Sequence, residues 1–104
     1  MARYHKVASL DRLPPGEKLG VEVEGHEIFL CNVDGTIHAL EDCCPHQGAR
    51  LSDVGHLRPG QVLCVLHGAC FDLGSGALLA PPAARDIHRY PVRVEGGAIY
   101  VEVE

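Results

Sequence analysis

Long apolar runs are absent from this sequence. No stretch approaches the roughly 18 apolar residues that a membrane-spanning helix needs, so we expect no membrane partner. The polar residues 1–6 are not followed by the apolar segment of a signal peptide. The sequence therefore predicts a cytoplasmic protein.

Positive charge is also scarce. The chain has 9 lysines and arginines against 14 aspartates and glutamates, which gives a formal net charge of -5. Nucleic acids and anionic membranes are bound through basic surfaces, so this composition argues against both as partners. A basic protein partner is compatible with the charge.

Patterns of catalytic residues are missing as well. Gly74-Ser75-Gly76 lacks the remaining glycine of a dinucleotide-binding fingerprint, and a turn explains it better. We find neither the serine–histidine–acid arrangement of a hydrolase nor the two-histidine, one-carboxylate triad of a non-haem iron oxygenase. We therefore expect a protein that is not itself an enzyme.

Helical periodicity with capping residues is not found, and strand-like alternation takes its place. Asp34-Gly35 and Gly96-Gly97 are dipeptides typical of hairpin turns. The length of 104 residues fits one domain. We predict a single all-β, antiparallel domain over residues 1–104, with strand patterns at residues 21–24, 27–31, 36–40, 90–94 and 98–103.

The middle of the chain differs from both ends. In residues 41–60 and 66–85, glycines, prolines and polar residues interrupt every apolar run, so we predict long loops there. Long loops in a small domain are usually functional. We assign the ligand-bearing loop region to about residues 41–85.

What the sequence does contain is five cysteines, an odd number that cannot be fully paired within one chain. In a reducing compartment, metal ligation is the better use for several of them. Cys44-Pro45-His46 and Cys64-Val65-Leu66-His67 each offer one thiolate and one imidazole. Thiolate is the soft ligand of iron–sulfur clusters, whereas imidazole suits iron and zinc alike.

The residues alone leave the metal and one ligand open. Two cysteines and two histidines also satisfy a tetrahedral structural zinc site. Zinc sites usually take two cysteines from one knuckle, whereas each loop here mixes the ligand types. The first loop is ambiguous because Cys43-x-x-His46 would mirror the spacing of the second motif.

Together the two motifs resemble the Rieske motif, and 17 residues separate His46 from Cys64. In that family two cysteines hold one iron of a [2Fe–2S] cluster and two histidines hold the other. The resemblance therefore implies Cys44, His46, Cys64 and His67 as the ligands of one [2Fe–2S] cluster. It also implies an antiparallel β sandwich with two metal-binding loops. It continues through residues 51–55, 71–72, 74–76, 81–82 and 90–94, where Pro81-Pro82 is similar to a proline loop that shields the cluster.

The resemblance further implies a low-potential electron carrier. High-potential Rieske proteins have a disulfide beside the cluster, but Ala49 and Leu66 occupy the positions of its cysteines here. Ala69 and Phe71 replace the serine and tyrosine whose hydroxyls lie near the cluster sulfurs in those proteins. We expect a reduction potential near about -150 mV rather than about +300 mV.

Small Rieske ferredoxins of this kind pass single electrons from a flavin-dependent reductase to the terminal oxygenase of an aromatic-ring-hydroxylating dioxygenase. Both are therefore implied as transient protein partners, and the small subunit of an assimilatory nitrite reductase is the alternative. We interpret the remaining cysteines, Cys31, Cys43 and Cys70, as buried or half-buried thiols. We interpret five histidines as surface or strand-edge residues: His5, His26, His38, His56 and His88.

Overall fold

Short antiparallel β-strands make up most of the described chain, in agreement with the predicted fold class. The computed structural model describes residues 3–43, 49–64, 68–80 and 85–103. The strands within these ranges are β1 (Arg3–Ser9), β2 (Lys18–Val23), β3 (His26–Val33), β4 (Thr36–Glu41), β5 (Gly55–Arg58), β6 (Gln61–Cys64), β7 (Cys70–Asp72), β8 (Leu78–Ala80), β9 (Val92–Glu95) and β10 (Ala98–Val103). A 3-10 turn at Leu10–Arg12 and the short helix α1 (Leu51–Val54) accompany them. In these ranges, neither helical segment has the length and apolar character required to cross a membrane.

Two three-stranded sheets, β1-β10-β9 and β2-β3-β4, contain three hairpins with two-residue turns, and β1 completes the first sheet by pairing with the distant strand β10. The turns lie at residues 24–25, 34–35 and 96–97, between the paired strand ends. Both residues of each turn have positive φ, between 50° and 90°. This conformation matches the right-handed twist of the strands and favours glycine, which explains why the turn dipeptides identified two of these hairpins in the sequence.

These two sheets share one hydrophobic core, which we call the base core. Its buried members are Ala8, Leu13, Ile28, Leu30, Ala39, Tyr90, Ile99, Val101 and Val103. Strand β10 shows how the sequence produces it, because Ile99, Val101 and Val103 are buried while Tyr100 and Glu102 between them are partly exposed. Successive side chains of a strand point to opposite faces, so this alternation directs every second residue into the base core.

A third sheet has the strand order β5-β6-β7-β8. Three of its strands, β5, β7 and β8, lie in the segments that the sequence predicted as long loops, and that prediction was wrong there, whereas β6 lies between the two segments. Its strands have only three or four residues each. Strands this short contain too few residues to display a period of two, so the interrupting glycines dominated the sequence pattern. The prediction was also incomplete at α1, a single turn of four residues whose Leu51 is fully buried.

The third sheet packs on a second core, which we call the cluster-end core because it contains Cys64, one of the predicted cluster ligands. Its buried residues are Phe29, Cys31, Leu40, Leu51, Val62, Cys64, Ala69, Phe71, Leu73 and Ile87. Strand β3 contributes to both cores, since Phe29 and Cys31 face this one while Ile28 and Leu30 face the base core. Burial on both faces explains why residues 28–31 read as a continuous apolar run.

Candidate metal centre

The two predicted ligand loops begin at the ends of two strands, β4 and β6. Of the four predicted ligands, Cys64 lies within the described residues. Cys44, His46 and His67 lie outside them, as do Leu66 and the predicted proline loop at Pro81-Pro82. The described part of the site therefore consists of Cys64 and the residues on either side of each loop.

Cys64 is the last residue of β6, and its side chain is fully buried in the cluster-end core. Its backbone N–H donates to the Ala69 carbonyl at 2.7 Å, and the Gly68 N–H donates to the Cys64 carbonyl at 2.8 Å. Gly68 has a φ of 79°, a conformation that glycine adopts at little cost. These bonds join the two ends of the second loop at Cys64, whose buried sulfur is a soft donor that fits an iron–sulfur centre.

The residues that follow the second loop contribute apolar side chains to the same core as this sulfur. Ala69 and Phe71 are both fully buried and belong to the same core as Cys64. Neither side chain carries a hydroxyl that could donate a hydrogen bond. The structure thus places the two predicted potential-lowering residues in the core that contains the predicted ligand.

At the first loop, Glu41 ends β4 and ties the loop to the segment at residues 85–88. The Arg85 guanidinium donates to both oxygens of the Glu41 carboxylate, at 3.0 and 2.8 Å, and the His88 N–H donates to Glu41 Oε1 at 3.1 Å. The Glu41 N–H in turn donates to the His88 carbonyl at 2.8 Å. The hydrogen bond from Arg85 is the main cause that lowers the pKa of the Glu41 carboxyl.

The next residue, Asp42, ties the two ends of the first loop to each other. Its carboxylate accepts the Ser52 N–H at Oδ1, at 2.8 Å, and the Ser52 hydroxyl at Oδ2, at 2.6 Å. The Lys18 ammonium donates to the Ser52 carbonyl at 2.5 Å. We call this arrangement the Asp42–Ser52 clasp. Because Asp42 precedes residues 44–48 and Ser52 follows them, the clasp fixes the span that the first loop must bridge.

The sequence analysis missed these supporting residues. Glu41 and Arg85 are 44 positions apart, and Asp42 and Ser52 are 10 apart, so no local pattern pairs them. The one available signal is position, because charged or hydroxyl residues stand immediately beside the two ends of a ligand-bearing segment.

The remaining cysteines confirm the interpretation as buried or half-buried thiols. Cys31 is fully buried, and burial raises its pKa to about 12, so it stays protonated at neutral pH. Cys70 is 6% exposed, and its thiol donates to Gln61 Oε1 at 3.0 Å. Cys43 is half-buried, and burial is the largest cause that raises its pKa, followed by the negative charge of Glu41. Elsewhere in the described ranges, no three histidine, cysteine or acidic side chains are grouped as a metal site.

Comparisons with known proteins identify the family. The model of the Rieske [2Fe-2S] domain matches residues 3–91. The ferredoxin component of naphthalene 1,2-dioxygenase/salicylate 5-hydroxylase systems from a Ralstonia species is 40% identical over 97 residues, which cover 93% of this chain and 92% of the relative. The ferredoxin of carbazole 1,9a-dioxygenase from Nocardioides aromaticivorans IC177 is 31% identical, with a TM-score of 0.87 over 94% of this chain and 95% of that one.

Two further structures bear on partners. The ferredoxin in a complex of reduced oxygenase and oxidised ferredoxin in carbazole 1,9a-dioxygenase is 28% identical, with a TM-score of 0.85 over 94% of this chain and 91% of that one. A chain described as an NADH-dependent nitrite reductase small subunit from Mycobacterium tuberculosis is also 28% identical, with a TM-score of 0.85 over 100% of this chain and 97% of that one.

The similarity to ferredoxin components over nearly the whole chain identifies an iron–sulfur electron-transfer protein rather than a catalytic enzyme. The chain belongs to the Rieske [2Fe-2S] family. Its cofactor is one [2Fe–2S] cluster, and the resemblance predicted from the two sequence motifs is confirmed.

Proposed function

We propose that this protein is a low-potential Rieske ferredoxin that passes single electrons from a flavin-dependent reductase to a terminal oxygenase. The supporting observation is the fully buried sulfur of Cys64 at the base of the second loop, in a chain that matches dioxygenase ferredoxin components over nearly its whole length. We assign this function to a single domain over residues 1–104, with the ligand loops within about residues 41–85. We propose that the protein works in the cytoplasm.

The proposed ligands are Cys44 and Cys64 for one iron, and His46 and His67 for the other, as in the family. When bound, the cluster accepts and releases one electron. Two thiolates and two neutral imidazoles give it two fewer negative charges than four thiolates would, which favours the reduced state and raises the potential above that of all-cysteine clusters. Ala69 and Phe71 act in the opposite direction, because they offer no hydroxyl to a cluster sulfur.

Single serine substitutions test the ligand set. Cys44→Ser and Cys64→Ser should abolish the visible absorption of the [2Fe–2S] cluster and lower the iron and sulfide content, because each removes a thiolate. Cys43→Ser is the matched control in the same loop and should retain both. If Cys43→Ser loses the cluster while Cys44→Ser retains it, the ligand assignment in the first loop is wrong. Zinc in place of iron and sulfide in the purified protein would contradict the whole proposal.

An electron carrier must bind, transfer its electron and leave, so we expect a small interface, below about 1,200 Å² in total. The relative solved in complex with its oxygenase supports a terminal oxygenase as acceptor. The net charge of -5 supports electrostatic steering toward a basic surface on the partner.

Salt dependence tests the steering. The Debye length falls from about 10 Å at 0.1 M salt to about 3 Å at 1 M, so the stopped-flow rate of reduction by the reductase should fall over this range. The cluster potential, measured in parallel, should stay constant. Rates that stay flat or rise with salt would instead indicate an apolar docking surface, with the acidic residues serving solubility.

The nitrite reductase alternative is the weaker candidate, because that relative is 28% identical and the dioxygenase ferredoxin component is 40% identical. The two functions differ in behaviour after purification. A ferredoxin exchanges electrons as a free protein, whereas an enzyme subunit works only within its complex. Size-exclusion chromatography of the native protein from its source, followed by reduction of the isolated fraction, separates them.

A further inference from the structure

The two adjacent acidic residues at the first loop differ in how their charges are compensated. The Glu41 carboxylate is paired with the Arg85 guanidinium and its side chain is 25% exposed. Asp42 is only 3% exposed, and both of its hydrogen bonds come from the uncharged N–H and hydroxyl of Ser52. Among the described residues, no lysine, arginine or histidine nitrogen forms an ion pair with it.

The surroundings hold this carboxylate in a fixed position. Both of its oxygens accept a hydrogen bond from Ser52. A Cβ atom on Gly20 of β2 would lie 2.6 Å from the Ser52 hydroxyl and 2.9 Å from Asp42 Oδ2, so the strand backbone packs directly on the clasp.

None of the charged side chains described near Asp42 forms an ion pair with it. Glu27 and Arg50 line the same cavity of about 260 Å³ as Asp42, but they are paired with each other at its exposed rim. The Lys18 ammonium binds the Ser52 carbonyl rather than the carboxylate. Among the described residues, Lys18 is therefore a cation held beside the clasp rather than a partner of the Asp42 carboxylate.

Asp42 is also close in sequence to Cys44, and the inference rests on the proposed role of Cys44 as a cluster ligand. They are two positions apart, with Cys43 between them, and consecutive Cα atoms 3.80 Å apart limit the distance between their Cα atoms to about 7.6 Å. Reduction adds one electron, and a like charge at short range in a weakly solvated environment opposes it. We propose that the buried carboxylate of Asp42, held in position by Ser52, lowers the reduction potential of the cluster.

Asp42→Asn tests the charge while keeping the clasp, because the asparagine amide accepts from the Ser52 N–H and donates to the Ser52 hydroxyl. The matched control is Asp53→Asn, which removes the same charge from an exposed position one residue beyond Ser52. In protein-film voltammetry, Asp42→Asn should shift the equilibrium between the oxidised and the reduced cluster at least tenfold toward the reduced form. For one electron this corresponds to a reduction potential about 59 mV higher. Asp53→Asn should shift the equilibrium by less than threefold. Equal shifts, or an unchanged potential in Asp42→Asn, would overturn the inference.

A second variant covers the case in which Asp42→Asn fails to fold. Lys18→Gln removes the cation bound to the clasp, so it should lower the potential, in the direction opposite to Asp42→Asn. Ser52→Ala keeps the carboxylate and should not raise the potential, although the thermal midpoint of unfolding should fall. A potential that is unchanged or higher in Lys18→Gln would contradict the inference.

The failure of this inference differs from the failure of the proposed ligand set. A wrong ligand set appears as an intact cluster spectrum in Cys44→Ser. A wrong assignment for Asp42 appears as an intact spectrum in Asp42→Asn together with an unchanged potential.

Discussion

The base and the cluster end of this molecule are stabilised in different ways. The base consists of strands of four to eight residues joined by two-residue turns over a continuous apolar core. The cluster end consists of strands of three or four residues, and its hydrogen bonds join segments far apart in the sequence. Such short strands supply little stability of their own. Burial and local hairpins organise the base, whereas at the cluster end polar braces between distant segments supplement the buried core.

Strand β3 is the physical link between the two regions. Ile28 and Leu30 are fully buried in the base core, and Phe29 and Cys31 are fully buried in the cluster-end core. A substitution in one core therefore leaves the other intact only when it does not move β3. Substitutions at each end of the molecule test this separation.

The largest effect is expected for Ile99→Ala in the base core, where Ile99 is fully buried. Removal of a buried isoleucine side chain typically lowers the free energy of unfolding by about 2–5 kcal/mol. Denaturant titration should give a loss in this range, while the reduction potential of the folded protein stays unchanged. Val94→Ala is the control, since Val94 is 43% exposed and should cost far less. A shift of the potential in Ile99→Ala would mean that the two cores are not separable.

A smaller effect is expected for Gly76→Ala at the cluster end. Gly76 has a φ of 79°, and a Cβ atom there would overlap the Ile87 carbonyl oxygen. Strain of this kind costs about 1–3 kcal/mol. Because the Ile87 N–H donates to the Gly76 carbonyl at 2.9 Å, the strain should reach residues 85–88, which brace the first loop through Glu41.

The comparison predicts that Gly76→Ala accelerates the loss of the cluster. The decay of its visible absorption in the presence of a chelator measures this rate. Gly96→Ala at the base is matched to it, because Gly96 also has positive φ, at 56°, but has open space around the Cβ position. It should lower stability modestly and leave the decay rate unchanged. Equal acceleration by both substitutions would contradict the difference between the regions.

The same division explains what could be predicted from the sequence. At the base, the information is local: alternation in β10 and the turn dipeptides at residues 34–35 and 96–97 suffice to predict the hairpins. At the cluster end the information is not local, because β5–β8 are too short to show the alternation of a strand and α1 is a single turn. The braces pair residues 10 and 44 positions apart. The motifs identified the family, while the ligand roles of Cys44, His46, Cys64 and His67 stay predictions.

The third effect concerns the potential rather than stability. Phe71→Tyr and Ala69→Ser each introduce a hydroxyl into the core that contains Cys64. A hydrogen bond worth about 1 kcal/mol to a cluster sulfur stabilises the reduced state, which corresponds to about 40 mV upward for one electron. Voltammetry of each variant measures the shift, and Ile99→Ala serves as the reference that should not move. An unchanged potential in both variants would show that the missing hydroxyls do not determine the low potential.

The smallest effect is expected for the Glu41–Arg85 brace. Its side chains are 25% and 53% exposed, so water screens the ion pair and its contribution is about 1 kcal/mol or less. Glu41→Gln should lower the free energy of unfolding at neutral pH by an amount within this limit. Glu27→Gln removes the carboxylate of the more exposed Glu27–Arg50 pair and should cost less.

The contribution of this brace to the free energy of unfolding should decrease at acidic pH. Arg85 lowers the pKa of Glu41 in the folded protein, so the brace contributes fully above the pKa of the unfolded chain, about 4.3, and is lost as the pH falls through the folded value. The difference in stability between the natural protein and Glu41→Gln should therefore be constant from pH 7 to pH 6 and shrink as the pH drops below about 4.3. Denaturant titrations at pH 7, 6 and 3.5 measure it. A difference that persists at pH 3.5 would mean that Glu41 braces the first loop by packing rather than by its charge.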